Sequence, residues 1–184
     1  MKNRLYSSLL EMKNLRVMTQ CALLIALHLV LNSFSIYITP TMKFSITYIA
    51  LAAIAMLAGP VTAFFCGGIV EVLGYVLRAN VGAFHPGIAL TTMLTGFVMG
   101  LFFYQRDLKL WRVISARAIV SVVLNLGLNT FWLSTLMGKA FVVLIPERLL
   151  KAAIFFPVEV FLIFLTLKTV KIVQKQLEKV AHKP

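Results

Sequence analysis

The chain has 184 residues, of which 60% are apolar and only 13% carry a charged side chain. Because soluble domains carry about 25% charged residues, this composition excludes a water-soluble globular protein, and the mean hydropathy of +0.92 excludes a disordered chain. Each transmembrane helix takes about 20 residues, so the length allows a membrane protein of about six or seven spans.

The net charge of +12 comes from 18 basic and 6 acidic residues, and the basic ones form short clusters between apolar runs. A nucleic-acid-binding protein would instead gather them on one surface. Clusters that flank apolar runs are typical of the cytoplasmic loops of membrane proteins. The charge therefore predicts orientation in a lipid bilayer and no nucleic-acid partner.

The apolar runs are separated by charged segments or by proline and glycine. Gly59-Pro60 ends the second run and opens the third, and Pro86 takes a first-turn position that needs no amide hydrogen. We therefore predict one all-α integral membrane domain over residues 1–184. Its six spans are predicted at residues 17–38, 44–57, 61–77, 86–104, 117–136 and 147–170.

Six spans place both termini on the same side of the membrane. On that side lie 13 of the 18 basic residues, and 5 lie on the other side. Because cytoplasmic loops collect lysine and arginine, both termini are predicted to be cytoplasmic. The outward cations have no topological reason for their position, and they are Lys43, Arg78, Lys139, Arg148 and Lys151.

The third span carries Gly67, Glu71, Gly74 and Arg78 on one helical face. One interpretation is close helix packing with a structural ion pair. The other is a cavity wall with a cation at its outer rim, because ionisable residues at membrane depth usually face a wet cavity.

The fifth span carries Ser121, Asn125, Asn129 and Trp132 within one broad face. A tryptophan near the end of a span is often only an interfacial anchor. Together with the two amides it also suits a flat heteroaromatic ligand, which stacks on the ring and bonds to the amides. Both interpretations stay open at this point.

Arg148 and Lys151 stand together at the outer end of the sixth span. They either extend to the membrane interface or neutralise an anionic ligand, arginine by its two-pronged geometry and lysine as a point charge. Arg78, His85 and Lys139 are predicted at the same outer end, and we include them among the candidate ligand-binding residues.

Ala22 and Ala26 form a small-xxx-small pair in the first span. Such a pair lets another helix approach closely, either inside this bundle or from a partner protein. The chain has no Walker lysine loop, and its three histidines and scattered acids lack metal-ligand spacing. An enzyme, a bound metal and a cofactor are therefore not expected.

The sequence resembles a known family in four features. They are the short six-span plan, residues 18–26 of the first span, the Gly59-Pro60 turn, and the Pro86-Gly87 start of the fourth span. They are similar to the substrate-binding S components of energy-coupling factor (ECF) vitamin transporters, over nearly the whole chain. Residues 124–133, 138–139 and 146–151 look most like the folate-specific members.

The resemblance implies a bacterial cell-membrane protein that binds folate near its outer face. It also implies that Ala22 and Ala26 dock on a shared transmembrane coupling subunit, which works with two ATP-binding subunits. The chemistry of folate agrees with the residues above, because Trp132 offers a stacking surface, the asparagines offer amides for the pterin, and Arg148 with Lys151 offers charge for the carboxylates.

Three alternatives remain. The chain is an S component for another vitamin or precursor, a ligand-free structural subunit of a membrane complex, or a self-sufficient secondary transporter. The last is disfavoured because such transporters often carry repeated halves, and no internal repeat is evident.

Overall fold

The computed structural model describes residues 2–39, 42–77, 85–138 and 141–181. Within these ranges the chain is a bundle of helices with one short β-hairpin. In chain order the elements are α1 (Lys2–Glu11), α2 (Leu15–Ser33), β1 (Ile36–Thr39), β2 (Met42–Phe44), α3 (Tyr48–Leu77), α4 (Pro86–Phe103), α5 (Leu110–Ile119), a π-helical segment (Val120–Asn129), α6 (Thr130–Met137) and α7 (Phe141–Ala181).

Helix α3 reverses direction at Gly59, whose backbone is not helical (φ 84°, ψ −179°). A straight helix would separate Tyr48 from Glu71 by about 34 Å at 1.5 Å per residue. Both residues nevertheless line one cavity of about 320 Å³. The predicted turn at Gly59-Pro60 is therefore confirmed, and α3 contributes two antiparallel segments.

Among the described residues, five helices are long and apolar enough to cross a membrane, at Leu15–Ser33, Tyr48–Leu77, Pro86–Phe103, Leu110–Leu136 and Leu144–Gln176. Because the second of them reverses at Gly59, the bundle has six membrane segments. The predicted helical membrane architecture is confirmed.

The second segment of α3 packs closely along α4. A Cβ atom added at Gly67 would lie 2.8 Å from the carbonyl oxygen of Thr92, and Gly96 and Gly100 of α4 leave equally little room beside Ala63 and Pro60. These small residues let the two backbones approach, which is how helices gain packing energy in a bilayer.

The N-terminal helix α1 lies against the reversal of α3, which the sequence did not predict. The Ser8 hydroxyl is fully buried, accepts from the amides of Val61 and Thr62 at 3.1 and 3.4 Å, and donates to the carbonyl of Ala58 at 2.9 Å. Because the first amides of a helix lack partners within it, Ser8 caps the second segment of α3 from another helix.

The first predicted span is too long at its outer end. Helix α2 ends at Ser33, and the strands β1 (Ile36–Thr39) and β2 (Met42–Phe44) form an antiparallel pair, with Tyr37 opposite Lys43. The run Ile36–Thr39 alternates β-branched residues with an aromatic one, which favours a strand over a helix. The predicted all-α membrane fold class is confirmed, and this short hairpin is a small addition to it.

Two further boundaries differ from the prediction. The fifth helical run begins at Leu110 rather than at residue 117, so Arg117 lies within it and not at its edge. Helix α7 extends from Phe141 to Ala181 and includes Pro146 and Pro157. Apolar patterning located both helices but not their first turns, which lie beyond the predicted boundaries.

Both ends of the described chain lie at the same end of the bundle. Ser8 of α1 contacts the Gly59 reversal, and Tyr104, just after α4, lies there too. Lys171 near the end of α7 lies 3.7 Å from Asp107 in the loop after Tyr104. The geometry agrees with an even number of membrane crossings.

Candidate functional site

A cavity of about 320 Å³ lies between α2, α3, α4, the π-helical segment and α7. Polar groups at membrane depth are costly, so their convergence on one cavity marks a functional site. Its polar lining consists of His28, Asn32, Ser45, Thr47, Tyr48, Glu71, Thr91, Thr92, Thr95, Arg117, Ser121, Asn125, Asn129, Arg148, Lys151 and Glu159.

Four of the predicted ligand-binding residues line this cavity. Asn125 and Asn129 come from the π-helical segment, and Arg148 and Lys151 come from α7. Arg148 donates from Nη1 to the carbonyl of Asn125 at 3.2 Å and to the hydroxyl of Thr130 at 3.1 Å. These two bonds hold the guanidinium at the cavity wall.

Trp132 does not line the cavity, contrary to the stacking role expected of it. Its ring packs on Gly87, where a Cβ atom would collide with it, and its centroid lies 5.3 Å from that of His85. The expected face assumed α-helical spacing, whereas residues 120–129 are π-helical with a wider turn. The ring therefore points toward the start of α4.

His85 is likewise outside the cavity lining. It precedes α4 as its N-cap, and its Nδ1 accepts from the amide of Gly87 at 3.1 Å. In this structure His85 caps α4 and packs on Trp132. Arg78 and Lys139, also predicted at the outer end, lie outside the described residues.

Ala22 and Ala26 are both exposed on the face of α2 that points away from the bundle. Leu23 and Leu27 beside them are 68% and 47% exposed. Of the two interpretations of this small-residue pair, packing inside the bundle is therefore excluded. The pair is available to a helix of another protein.

Arg117 and Glu159 form a buried ion pair in the cavity wall that the sequence analysis missed. Their side chains are 7% and 12% exposed, and the Arg117 guanidinium lies 5.2 Å from the ring centre of Tyr48. By its position at the start of the fifth predicted span, Arg117 belongs to the 13 basic residues on the side of the termini. The available signal was Glu159, an acid in the middle of an apolar run that requires a compensating partner.

Glu71 of α3 lines the part of the cavity wall that also contains His28 and Asn32 of α2 and Thr92 of α4. Its Oε2 accepts from the Thr92 hydroxyl at 3.1 Å. Both interpretations of the predicted face on the third span hold in part, because Gly67 is a packing position and Glu71 is a cavity residue.

The site offers hydrogen-bond donors and acceptors together with charges of both signs. Three cations, Arg117, Arg148 and Lys151, line it with two carboxylates. Among the described residues no three histidine, cysteine or acidic side chains lie close enough to share a metal ion. The arrangement therefore suits recognition of a polar, partly anionic molecule.

The fold and this intramembrane cavity define a substrate-binding subunit of a membrane transporter. The family model for the substrate-specific component of ECF transporters matches residues 16–170. The chain therefore belongs to the substrate-specific (S) components of ECF transporters, which are transport proteins and not enzymes. The resemblance noted in the sequence is confirmed, as is a multi-pass location in the cell membrane.

Three known proteins show how close this relationship is. The chain is 36% identical over 153 residues to the folate transporter FolT of Clostridium novyi (strain NT), which covers 83% of this chain and 88% of that one. It is 31% identical over 145 residues to FolT of Leuconostoc mesenteroides, with coverages of 76% and 77%. A crystal structure of FolT bound with folic acid matches with a TM-score of 0.76 and 32% identity, covering 82% of this chain and 91% of that one.

Proposed function

We propose that the chain is the folate-binding S component of an ATP-driven ECF uptake transporter. It binds folate in the cavity from the outer side and delivers it inward together with the shared transmembrane subunit and two ATP-binding subunits. The observation that carries the proposal is the cationic and amide-rich cavity in a chain 32% identical to a folic-acid-bound FolT.

Folate combines a flat pterin, an aminobenzoyl ring and a dianionic glutamate. Arg148 offers a two-pronged donor to a carboxylate and Lys151 a point charge, so this pair supports binding of the glutamate. The side-chain amides of Asn125 and Asn129 suit the polar edge of the pterin. A volume of about 320 Å³ also falls in the usual range for small-molecule sites.

The exposed position of Ala22 and Ala26 supports docking on the coupling subunit through α2. Cytoplasmic termini remain part of the proposal. They follow from the excess of basic residues at the end of the bundle that carries α1 and the end of α7.

The experiment is a titration of the purified chain in detergent with folic acid and with riboflavin, which lacks carboxylates. We expect saturable binding of folic acid, its loss in Arg148→Ala and Lys151→Ala, and its retention in Arg112→Ala, which removes a cation outside the cavity. Preference for riboflavin would support an S component for another vitamin. If no small molecule shifted the melting temperature, a ligand-free structural subunit would replace the proposal.

A further inference from the structure

Glu71 is a carboxylate at membrane depth with little to compensate it. From the described residues it accepts one hydrogen bond, from Thr92 Oγ1 at 3.1 Å, and the single proton of that hydroxyl is also directed at the carbonyl of Ile88 at 3.3 Å. Within the described part of the chain, the ion pairs are Arg117 with Glu159 and Lys171 with Asp107. Glu71 is in neither of them.

The other carboxylate of the cavity is in the opposite situation. Glu159 receives two hydrogen bonds from Arg117, at 2.8 and 2.5 Å. A buried charge is costly unless a counter-charge and hydrogen bonds satisfy it, and Glu159 has both. Among the described residues, Glu71 has one hydrogen bond and no counter-charge. Hydrogen-bond donors from a ligand would therefore satisfy its carboxylate oxygens.

The backbone around Glu71 is fixed, so the carboxylate stays in the cavity wall. A Cβ atom at Gly67, one turn before it, would lie 2.8 Å from the Thr92 carbonyl of α4. A Cβ atom at Gly74, about one turn after it, would lie 3.0 Å from the Asn32 side chain of α2. Helix α3 is therefore held on both sides of Glu71 at close contact.

We propose that Glu71 determines specificity by accepting hydrogen bonds from two adjacent N–H groups of the ligand. This inference rests on the proposed function, because the pterin of folate presents such a pair, its ring N3–H and its 2-amino group. The two oxygens of a carboxylate match two parallel donors. Glu71 then binds the amino-pyrimidinone edge of the pterin, the amides of Asn125 and Asn129 bind its other polar atoms, and Arg148 with Lys151 binds the carboxylates.

The test combines a protein variant with a ligand variant. Glu71→Gln keeps the shape of the side chain but replaces one acceptor oxygen by a donor. The ligands are folic acid and an analogue in which a methyl group replaces the 2-amino group. Since hydrogen bonds to charged groups contribute about 1.5–3 kcal/mol, the unaltered protein should prefer folic acid by roughly ten- to hundredfold. Glu71→Gln should bind both ligands with similar affinity.

Glu11→Gln is the matched control, because it removes a carboxylate of α1 that does not line the cavity, and it should keep the preference. If Glu71→Gln discriminated as strongly as the unaltered protein, the inference would be overturned. Absence of saturable folate binding by the unaltered protein would overturn the proposed function itself.

A purely structural role of Glu71 gives a different result. Without ligand, the Glu71→Gln protein should melt at the same or a higher temperature, because the change removes a half-buried charge at membrane depth that has no ion-pair partner among the described residues. A lower melting temperature in the absence of ligand, with discrimination between the two ligands retained, would assign Glu71 to folding and not to recognition.

Discussion

Arg117 donates two hydrogen bonds to one oxygen of Glu159, from Nε at 2.8 Å and from Nη2 at 2.5 Å. The pair joins α5 to α7, and the guanidinium also lies over the ring of Tyr48 from α3. Three elements that are distant in sequence are therefore fixed to one another beside the cavity.

Breaking this pair should destabilise the bundle. Glu159→Leu leaves the Arg117 guanidinium buried without its counter-charge, which typically costs about 3–5 kcal/mol. The measurement is unfolding of the purified protein in detergent. Asp107→Ala is the control, because it breaks a pair whose side chains are 50% and 83% exposed. Such a pair contributes about 0–1 kcal/mol. Equal losses in the two variants would contradict a structural role of the buried pair.

Alanine at Gly59 should destabilise the protein more than alanine at Gly138. Gly138 has a left-handed helical backbone (φ 62°, ψ 16°), where an L-residue costs about 1–2 kcal/mol. Gly59 (φ 84°, ψ −179°) lies in a region that is essentially confined to glycine. A Cβ atom at Gly59 would also lie 2.6 Å from the Ser8 hydroxyl, whereas nothing lies within 4 Å of one at Gly138. Melting temperatures of the two variants check this order. Equal shifts would mean that neither the backbone conformation of Gly59 nor its contact with Ser8 limits the residue at this position.

Thr130 should affect ligand affinity although it does not line the cavity. Its hydroxyl donates to the Asn125 carbonyl at 3.0 Å and accepts from Arg148 Nη1 at 3.1 Å. Thr130→Val removes this support, and a hydrogen bond of about 0.5–1.5 kcal/mol corresponds to a roughly two- to tenfold weaker affinity for folic acid.

The matched control is Thr135→Val on the same helix, whose hydroxyl bonds only to the Trp132 carbonyl at 2.7 Å. It should leave the affinity for folic acid unchanged in the same titration. If Thr130→Val also left it unchanged, Arg148 would be oriented by other contacts.

Docking of α2 can be tested apart from ligand binding. Ala22→Trp places a large ring on the exposed face of α2, so it should prevent co-purification with the coupling subunit while folic acid still binds to the isolated chain. Val122→Trp is the control, since Val122 is 61% exposed on the π-helical segment. Loss of assembly in both variants would indicate a general effect of an added ring.

The order of the membrane segments could be predicted because its signals are local. Gly59-Pro60 and Pro86 mark a reversal and a helix start within two residues of chain. The capping of α3 by Ser8 could not be predicted, because the bonded groups are 50 to 54 residues apart. Nothing in residues 2–11 alone indicates which helix end they cover.

The candidate site divides in the same way. Arg148 and Lys151 can be identified as candidate site residues because the positive-inside rule does not explain cations on the outer side. Asn125 and Asn129 can be identified because they are amides inside an apolar run. Arg117 cannot, because its partner Glu159 is 42 residues away and its position at a helix edge suggests an orienting charge. Only the tertiary pairing distinguishes such an arginine from those that face the cytoplasm.

Trp132 provides the sharpest contrast between the sequence-based expectation and the structure. Its ring packs on Gly87 and lies 5.2 Å from Phe131, centre to centre, so Trp132→Phe should lower the melting temperature but change the folic acid affinity by less than about twofold. Gly87→Ala should also lower the melting temperature, because its Cβ atom displaces the ring. Titration and thermal unfolding of both variants check this. A tenfold or greater loss of folic acid affinity in Trp132→Phe would show that the ring stacks on the ligand, which requires the start of α4 to move toward the cavity on binding.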